Sequence, residues 1–194
     1  SGTATSGTVK VAAVNACGTG TTRDVAVSVN AIPAQPSSFT TSSATVCQGQ
    51  NTVAYTVPAV AGATSYNWSY TGTGVTFIGT GNSVTANFAA NATSGNVRVS
   101  ATNTCGTSAN RIIAVTVGTL PAQPGAYTAS TATVCKGTNN VAYAVPTVAG
   151  ATSYAWTYSG TGVTFSGTGN SVTADFAANA TSGTISVGAV NACG

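Results

Sequence analysis

Histidine and methionine are both missing from this 194-residue chain, and charged residues are close to missing as well. Without His, an ordinary Ser-His-Asp or Cys-His site has no base, and no imidazole can hold a metal. The two acidic residues, Asp24 and Asp175, offer neither the paired carboxylates of a hydrolase nor the oxygen cluster of a calcium site. Charged residues make up 4%, where about a quarter is usual. A net charge of +3 gives no basic patch for nucleic acid. No apolar run approaches the roughly 20 residues of a membrane helix, and no charged-then-apolar leader is present. A chain without Met that opens on Ser1 is expected to be an excised or processed piece, its signal peptide removed if it had one. The expectation is therefore no enzyme, no cofactor, no metal, no nucleic-acid partner and no membrane insertion.

What is abundant is threonine, at 36 positions, followed by Val, Ala and Gly. That is β-strand composition with tight turns, and 43% apolar residues are enough for a core.

Self-comparison sets the organisation. Cys17, Cys105 and Cys193 are spaced by 88 residues, as are Cys47 and Cys135. With that shift and no gap, Cys47–Gly106 matches Cys135–Gly194 at 44 of 60 positions, and Ser1–Val46 matches Ala89–Val134 at 24 of 46. Such near-identity suggests a recently duplicated array in which many copies do one mechanical job. Paired prolines at Pro33-Ala-Gln-Pro36 and Pro121-Ala-Gln-Pro124 mark semi-rigid linkers. Three pieces follow: residues 1–31, the C-terminal strands of a preceding repeat; 32–119, a complete repeat; and 120–194, a repeat lacking its last strand. Either the chain is a window on a longer polypeptide, or a strand from a neighbouring subunit completes the open end.

Within the complete repeat, strands are expected at Phe39–Val46, Val53–Val57, Ser65–Tyr70, Val75–Ile78, Ser83–Phe88, Asn96–Thr102 and Arg111–Val117. Alternation places Val84, Ala86, Phe88, Val97 and Val99 inward, and Arg98 outward. Seven short strands with turns every 8–12 residues indicate an all-β chain of tandem immunoglobulin-like β-sandwich repeats with a period of 88 residues.

The motifs Val46–Gly49, Val53–Pro58, Val60–Trp68 and Asn103–Gly106, with copies at Val134–Gly137, Val141–Pro146, Val148–Trp156 and Asn191–Gly194, carry a resemblance. The chain resembles the PKD-like and Ig-like repeats of Bacteroidetes cell-surface proteins. The resemblance implies giant surface or secreted adhesins and filaments, gliding-motility adhesins among them, commonly exported by the type 9 system. It implies no shared active site.

Five cysteines in such a chain point to an oxidising compartment. Two pairings compete. One closes each repeat on itself, Cys47 with Cys105 and Cys135 with Cys193. Against it, the second and sixth strands of an Ig-like sandwich run the same way. Cys47 precedes one and Cys105 follows the other, about 23 Å apart along a seven-residue strand, where a disulfide needs about 5.5 Å between Cα atoms. The favoured pairing is Cys47–Cys193 across the joint between repeats, leaving Cys17, Cys105 and Cys135 to pair beyond this stretch or between chains.

Tyr66, Trp68 and Tyr70, repeated as Tyr154, Trp156 and Tyr158, form an aromatic stripe. It reads mainly as core, built on the third-strand Trp of an Ig-like sandwich, with Tyr70 and Tyr158 as possible glycan contacts. Gly72-Thr-Gly74 and its copies read as hairpin turns, since no helix follows them. The expected function is a structural repeat of an extracellular filament, fibre or adhesin stalk, stiffened by linkers and disulfides. Its partners would be neighbouring repeats of the same chain or identical subunits. The alternative is a carbohydrate-binding or adhesive module.

Overall fold

The computed structural model describes residues 4–194, and among them there are strands and no helix. The tail of the preceding repeat supplies β1 (Gly7–Val11), β2 (Val14–Asn15), β3 (Gly18–Thr19) and β4 (Arg23–Val27). The first full repeat holds β5 (Thr45–Cys47), β6 (Val53–Thr56), β7 (Ser65–Tyr70), β8 (Val75–Ile78), β9 (Ser83–Phe88), β10 (Gly95–Asn103), β11 (Gly106–Thr107) and β12 (Arg111–Gly118). The second holds β13 (Val141–Ala144), β14 (Ser153–Tyr158), β15 (Val163–Ser166), β16 (Ser171–Phe176) and β17 (Ile185–Val190).

The chain divides into two compact units whose boundaries do not follow the sequence repeats. One comprises residues 1–44, 51–87 and 94–115; the other comprises 45–50, 88–93 and 116–194. In the first, the sheet β6–β9–β8 lies against a sheet in which β10 pairs antiparallel with both β7 and β12. Alternation decides what is buried: Tyr55, Val84 and Ala86 from one sheet and Val97, Val99 and Val115 from the other are at most 4% exposed. Arg98 departs from the outward expectation. It is half-buried, and its Nε is buried without a hydrogen-bond partner. The β1–β4 ladder runs from Gly7 opposite Val27 to Val11 opposite Arg23, with every residue exposed.

The second unit builds β13–β16–β15 and β14–β17 around Tyr143, Val172, Ala174, Phe176 and Ala180. It also contains β5, which pairs in parallel with the end of β12, Thr45 opposite Thr116 and Cys47 opposite Gly118.

One expected strand is corrected. Phe39–Val46 is not continuous: Thr41 makes a single bridge to Thr56, and the strand proper begins at Thr45. Between them, the Ser43 carbonyl accepts the Tyr55 hydroxyl at 2.8 Å, so it points into the core rather than along a ladder. The second repeat does the same, with Tyr143 donating to the Thr131 carbonyl at 2.8 Å and Ala129 bridging Ala144.

Candidate functional site

The chemistry-bearing residues are the cysteines, and the structure joins Cys47 to Cys193, 146 residues apart, with Cα atoms 5.6 Å from each other. Cys17, Cys105 and Cys135 are free and exposed. The pairings within a repeat, Cys47–Cys105 and Cys135–Cys193, are therefore not formed. Cys47 and Cys193 belong to consecutive sequence repeats but to one compact unit.

Each half of the bond is held by local structure. Cys193 lies in a turn in which the Asn191 side chain does two things. Its Oδ1 accepts the Cys193 N–H at 2.8 Å, and its Nδ2 donates to the Thr119 carbonyl at 2.8 Å, just ahead of the linker prolines. The short Asn side chain satisfies a backbone N–H two residues on, which is what fixes an Asx turn. On the other side, Cys47 ends β5, with Gly118 as its ladder partner. Its N–H donates to Gln50 Oε1 at 3.0 Å, and the next residue, Gln48, donates its N–H to the Gly118 carbonyl at 2.9 Å.

The same turn recurs at two of the three free cysteines. Asn103 Oδ1 accepts the Cys105 N–H at 2.8 Å, and Asn103 Nδ2 donates to the Ala31 carbonyl at 2.8 Å. Asn15 Oδ1 accepts the Cys17 N–H at 2.9 Å. The sequence displays this Asn-x-Cys-Gly motif three times. Its turn was there to be read, since Asn two residues before a Cys-Gly pair is a turn signal, whereas its grip on the linker was not. Cys105 thus stands in the posture that Cys193 uses, its sulfur 3.4 Å from the Asn30 carbonyl oxygen.

The aromatic stripe is built into the sandwich. Trp68 Nε1 donates to the Gly81 carbonyl at 2.9 Å, and its ring meets Phe39 and Phe77 with centroids 6.2 and 6.1 Å away. Val60 donates its N–H to the Tyr66 hydroxyl at 2.7 Å. Tyr70 and Tyr158, the two expected glycan contacts, are half-buried. The Tyr158 hydroxyl donates to the Thr181 carbonyl at 2.6 Å, and its ring packs edge-on against Phe176 with centroids 6.0 Å apart. A Cβ at Gly183 would lie 2.9 Å from the Tyr158 ring, and one at Gly95 would lie 3.0 Å from Tyr70. Burial raises the pKa of Tyr70.

The acidic residues have local partners. Asp24 pairs with Lys10 at 3.1 Å. Asp175 Oδ1 accepts the N–H of Asn140, a residue with φ of +57°, at 2.6 Å. Asn87, its counterpart, accepts the N–H of Thr52, with φ of +58°, at 2.8 Å. A neutral amide fills the same position, so the carboxylate serves as a hydrogen-bond acceptor for a left-handed turn.

The second repeat carries an open groove of about 720 Å³. Val134, Cys135, Tyr143, Phe176, Gly183 and Ile185 are among the residues that line it. The 88-residue shift places it where β12 runs in the first repeat.

A search of curated proteins returns no match. The solved structure of surface layer protein SbsC, domains 4–9, aligns with 95% of this chain at 17% identity and a TM-score of 0.32. This chain spans 33% of the length of that one. The profile described as PKD-like domain matches twice in tandem, over residues 32–115 and 120–194, and the chain belongs to that family.

Proposed function

We propose that the chain is a structural repeat region of an extracellular fibre, filament or adhesin stalk, in which each repeat is fastened covalently to the next. The observation that carries this reading is the Cys47–Cys193 disulfide, which joins consecutive repeats rather than closing one of them. A disulfide of this kind persists in oxidising compartments, which supports a setting outside the cytosol. Near-identical repeats suit a job in which every copy does the same thing. Few charges line the strands (4% of residues), so lateral pairing of exposed edges meets little repulsion. The cell-surface repeats of Bacteroidetes, which the motifs resemble, are the corresponding setting, with type 9 export as the route.

Immunogold electron microscopy with an antibody raised against residues 32–194 tests the reading on source cells. Label along surface fibres is expected, on material that runs far above 18.7 kDa on a denaturing gel. Label confined to the cell interior, with Cys47 and Cys193 reduced, would overturn it.

A further inference from the structure

Arg98 occupies a position built for an ion pair, and no carboxylate stands opposite it. In β1 and β4, Lys10 lies directly across from Asp24, and the two pair at 3.1 Å. A shift of 88 residues puts Arg98 in place of Lys10 and Ile112 in place of Asp24. These two again lie directly across from each other, in the β10–β12 ladder. The cation is kept and the anion is not. Neither acidic residue of the chain makes up for it. Asp24 is taken by Lys10, and Asp175 accepts the Asn140 N–H in the second repeat.

The surroundings of Arg98 differ from plain surface. Its neighbours Val97 and Val99 are fully buried in the core, so alternation puts Arg98 on the outer face of the sheet. The residue is nevertheless half-buried, and its Nε is enclosed without a hydrogen-bond partner. Ser100, on the same face, is only 5% exposed. Directly across from Arg98 on one side is the exposed Ser69 of β7; on the other is Ile112, 50% exposed. The row thus runs from a hydroxyl through a guanidinium to an apolar side chain. An enclosed donor without a partner is costly to the free protein, which favours any acceptor that reaches it. The long Arg stem lets the head turn, so that Nε and one terminal nitrogen meet a carboxylate side-on, as a bidentate pair.

We infer that the outer face of the β7–β10–β12 sheet binds a carboxylate through Arg98, and that this carboxylate belongs to an acidic polysaccharide. A hexuronate unit lays the apolar face of its ring on Ile112, gives its carboxylate to Arg98 and turns a ring hydroxyl to Ser69. A peptide carboxylate suits the place less well. Extended peptides gain affinity by pairing their backbone with a free strand edge. Here β10 is flanked by β7 on one side and β12 on the other, so its ladder is already paired at Arg98. What is left for a ligand is recognition by side chains from above the sheet. The second repeat has Ser186 at this position, so the site belongs to one repeat and is no part of a mechanical job common to all. The inference goes beyond the fibre reading and does not depend on it.

The test titrates the 194-residue chain with trigalacturonate, read by calorimetry and by the NMR signals of the Arg98 Nε–H and the Ile112 methyl groups. Both signals should move. The trimethyl ester of the same sugar, which keeps the rings and removes the charge, should bind at least tenfold more weakly. R98S copies the second repeat; it should lose at least tenfold in affinity and melt no lower than the parent. I112D restores the carboxylate of the Lys10–Asp24 pair, occupies the guanidinium from within the chain, and should also weaken binding at least tenfold. K136A, which removes an exposed charge elsewhere, should bind as the parent does. Unmoved signals, equal binding of the ester, undiminished binding by R98S or I112D, or an equal loss in K136A would overturn the inference. A triglutamate peptide that matches trigalacturonate at the same two residues would overturn the polysaccharide as the source of the carboxylate. In each case an intact Cys47–Cys193 bond leaves the fibre reading standing.

Discussion

Gly118 packs its bare α-carbon against the sulfur of Cys193: a Cβ built there would lie 2.9 Å from Sγ. The close approach explains a glycine in the last position of a strand rich in β-branched residues, Arg111–Gly118. Replacing it with Ala forces the sulfur or the strand to move, at a cost of about 1–3 kcal/mol. Gly118→Ala should therefore leave a measurable fraction of Cys47 and Cys193 as free thiols under conditions that fully oxidise the parent, seen by thiol titration of the unfolded chain.

Asn191 serves both Cys193 and the linker carbonyl of Thr119. Asn191→Ala removes both hydrogen bonds and should cost about 1–3 kcal/mol in denaturant unfolding. Asn191→Asp keeps an acceptor for the Cys193 N–H and loses only the donor to Thr119. Its loss should be smaller, which separates the turn from the clamp.

Reduction of Cys47–Cys193 opens a loop of 146 residues. Chain-entropy reasoning sets the loss at up to about 5 kcal/mol. Denaturant melts with and without reductant should show the change in the unit that contains residues 45–50 and 116–194. The double variant C47S/C193S should reproduce the reduced curve.

Asp175 and Asn87 do one job in two repeats. Asp175→Asn should change stability by less than about 0.5 kcal/mol, because the amide oxygen accepts the same Asn140 N–H. Asp175→Ala leaves the left-handed Asn140 without its acceptor and should cost about 1 kcal/mol. Thermal melts of the two variants check both statements.

Burial first, and then the Tyr70 phenol, push the Tyr55 hydroxyl from 10.0 up to about 12. Burial likewise raises Tyr143, with Tyr158 and Tyr127 adding to it. A raised phenol pKa means that the unfolded chain gives up its proton before the folded chain does. The stabilisation is fully present below pH 10 and is lost as pH rises through the folded value near 12. The loss from Tyr55 should be on the order of 1–2 kcal/mol. Tyr55→Phe should flatten that part of the stability curve and remove a late-titrating component from the phenolate absorbance.

The sequence yields strands readily wherever alternation is strict. Ser65–Tyr70, Val75–Ile78 and Ser83–Phe88 begin and end at the expected residues, because apolar and polar positions alternate between glycine-marked turns. The direction of strands, combined with the reach of a disulfide, favours Cys47–Cys193 from the sequence alone. Phe39–Val46 was not legible in the same way. Its break depends on a hydrogen bond from Tyr55, a residue 12 positions on from Ser43, and local pattern carries no trace of it. Arg98 follows the alternation as an outward residue, yet its stem is covered, so that Nε ends up buried. The Asn clamp was visible as a repeated motif, but its grip on the linker spans 72 residues. The open groove is legible only by comparing one repeat with its copy.

The disulfide also determines how a pulled chain carries load. Tension entering before residue 47 and leaving after residue 193 passes through the sulfur bridge, and the segment between is spared. At roughly 3.5 Å per extended residue, the bond withholds about 500 Å of contour from extension. An oxidised chain would thus stretch as a short tether, and a reductant would turn it into a long one that yields by unravelling its strands.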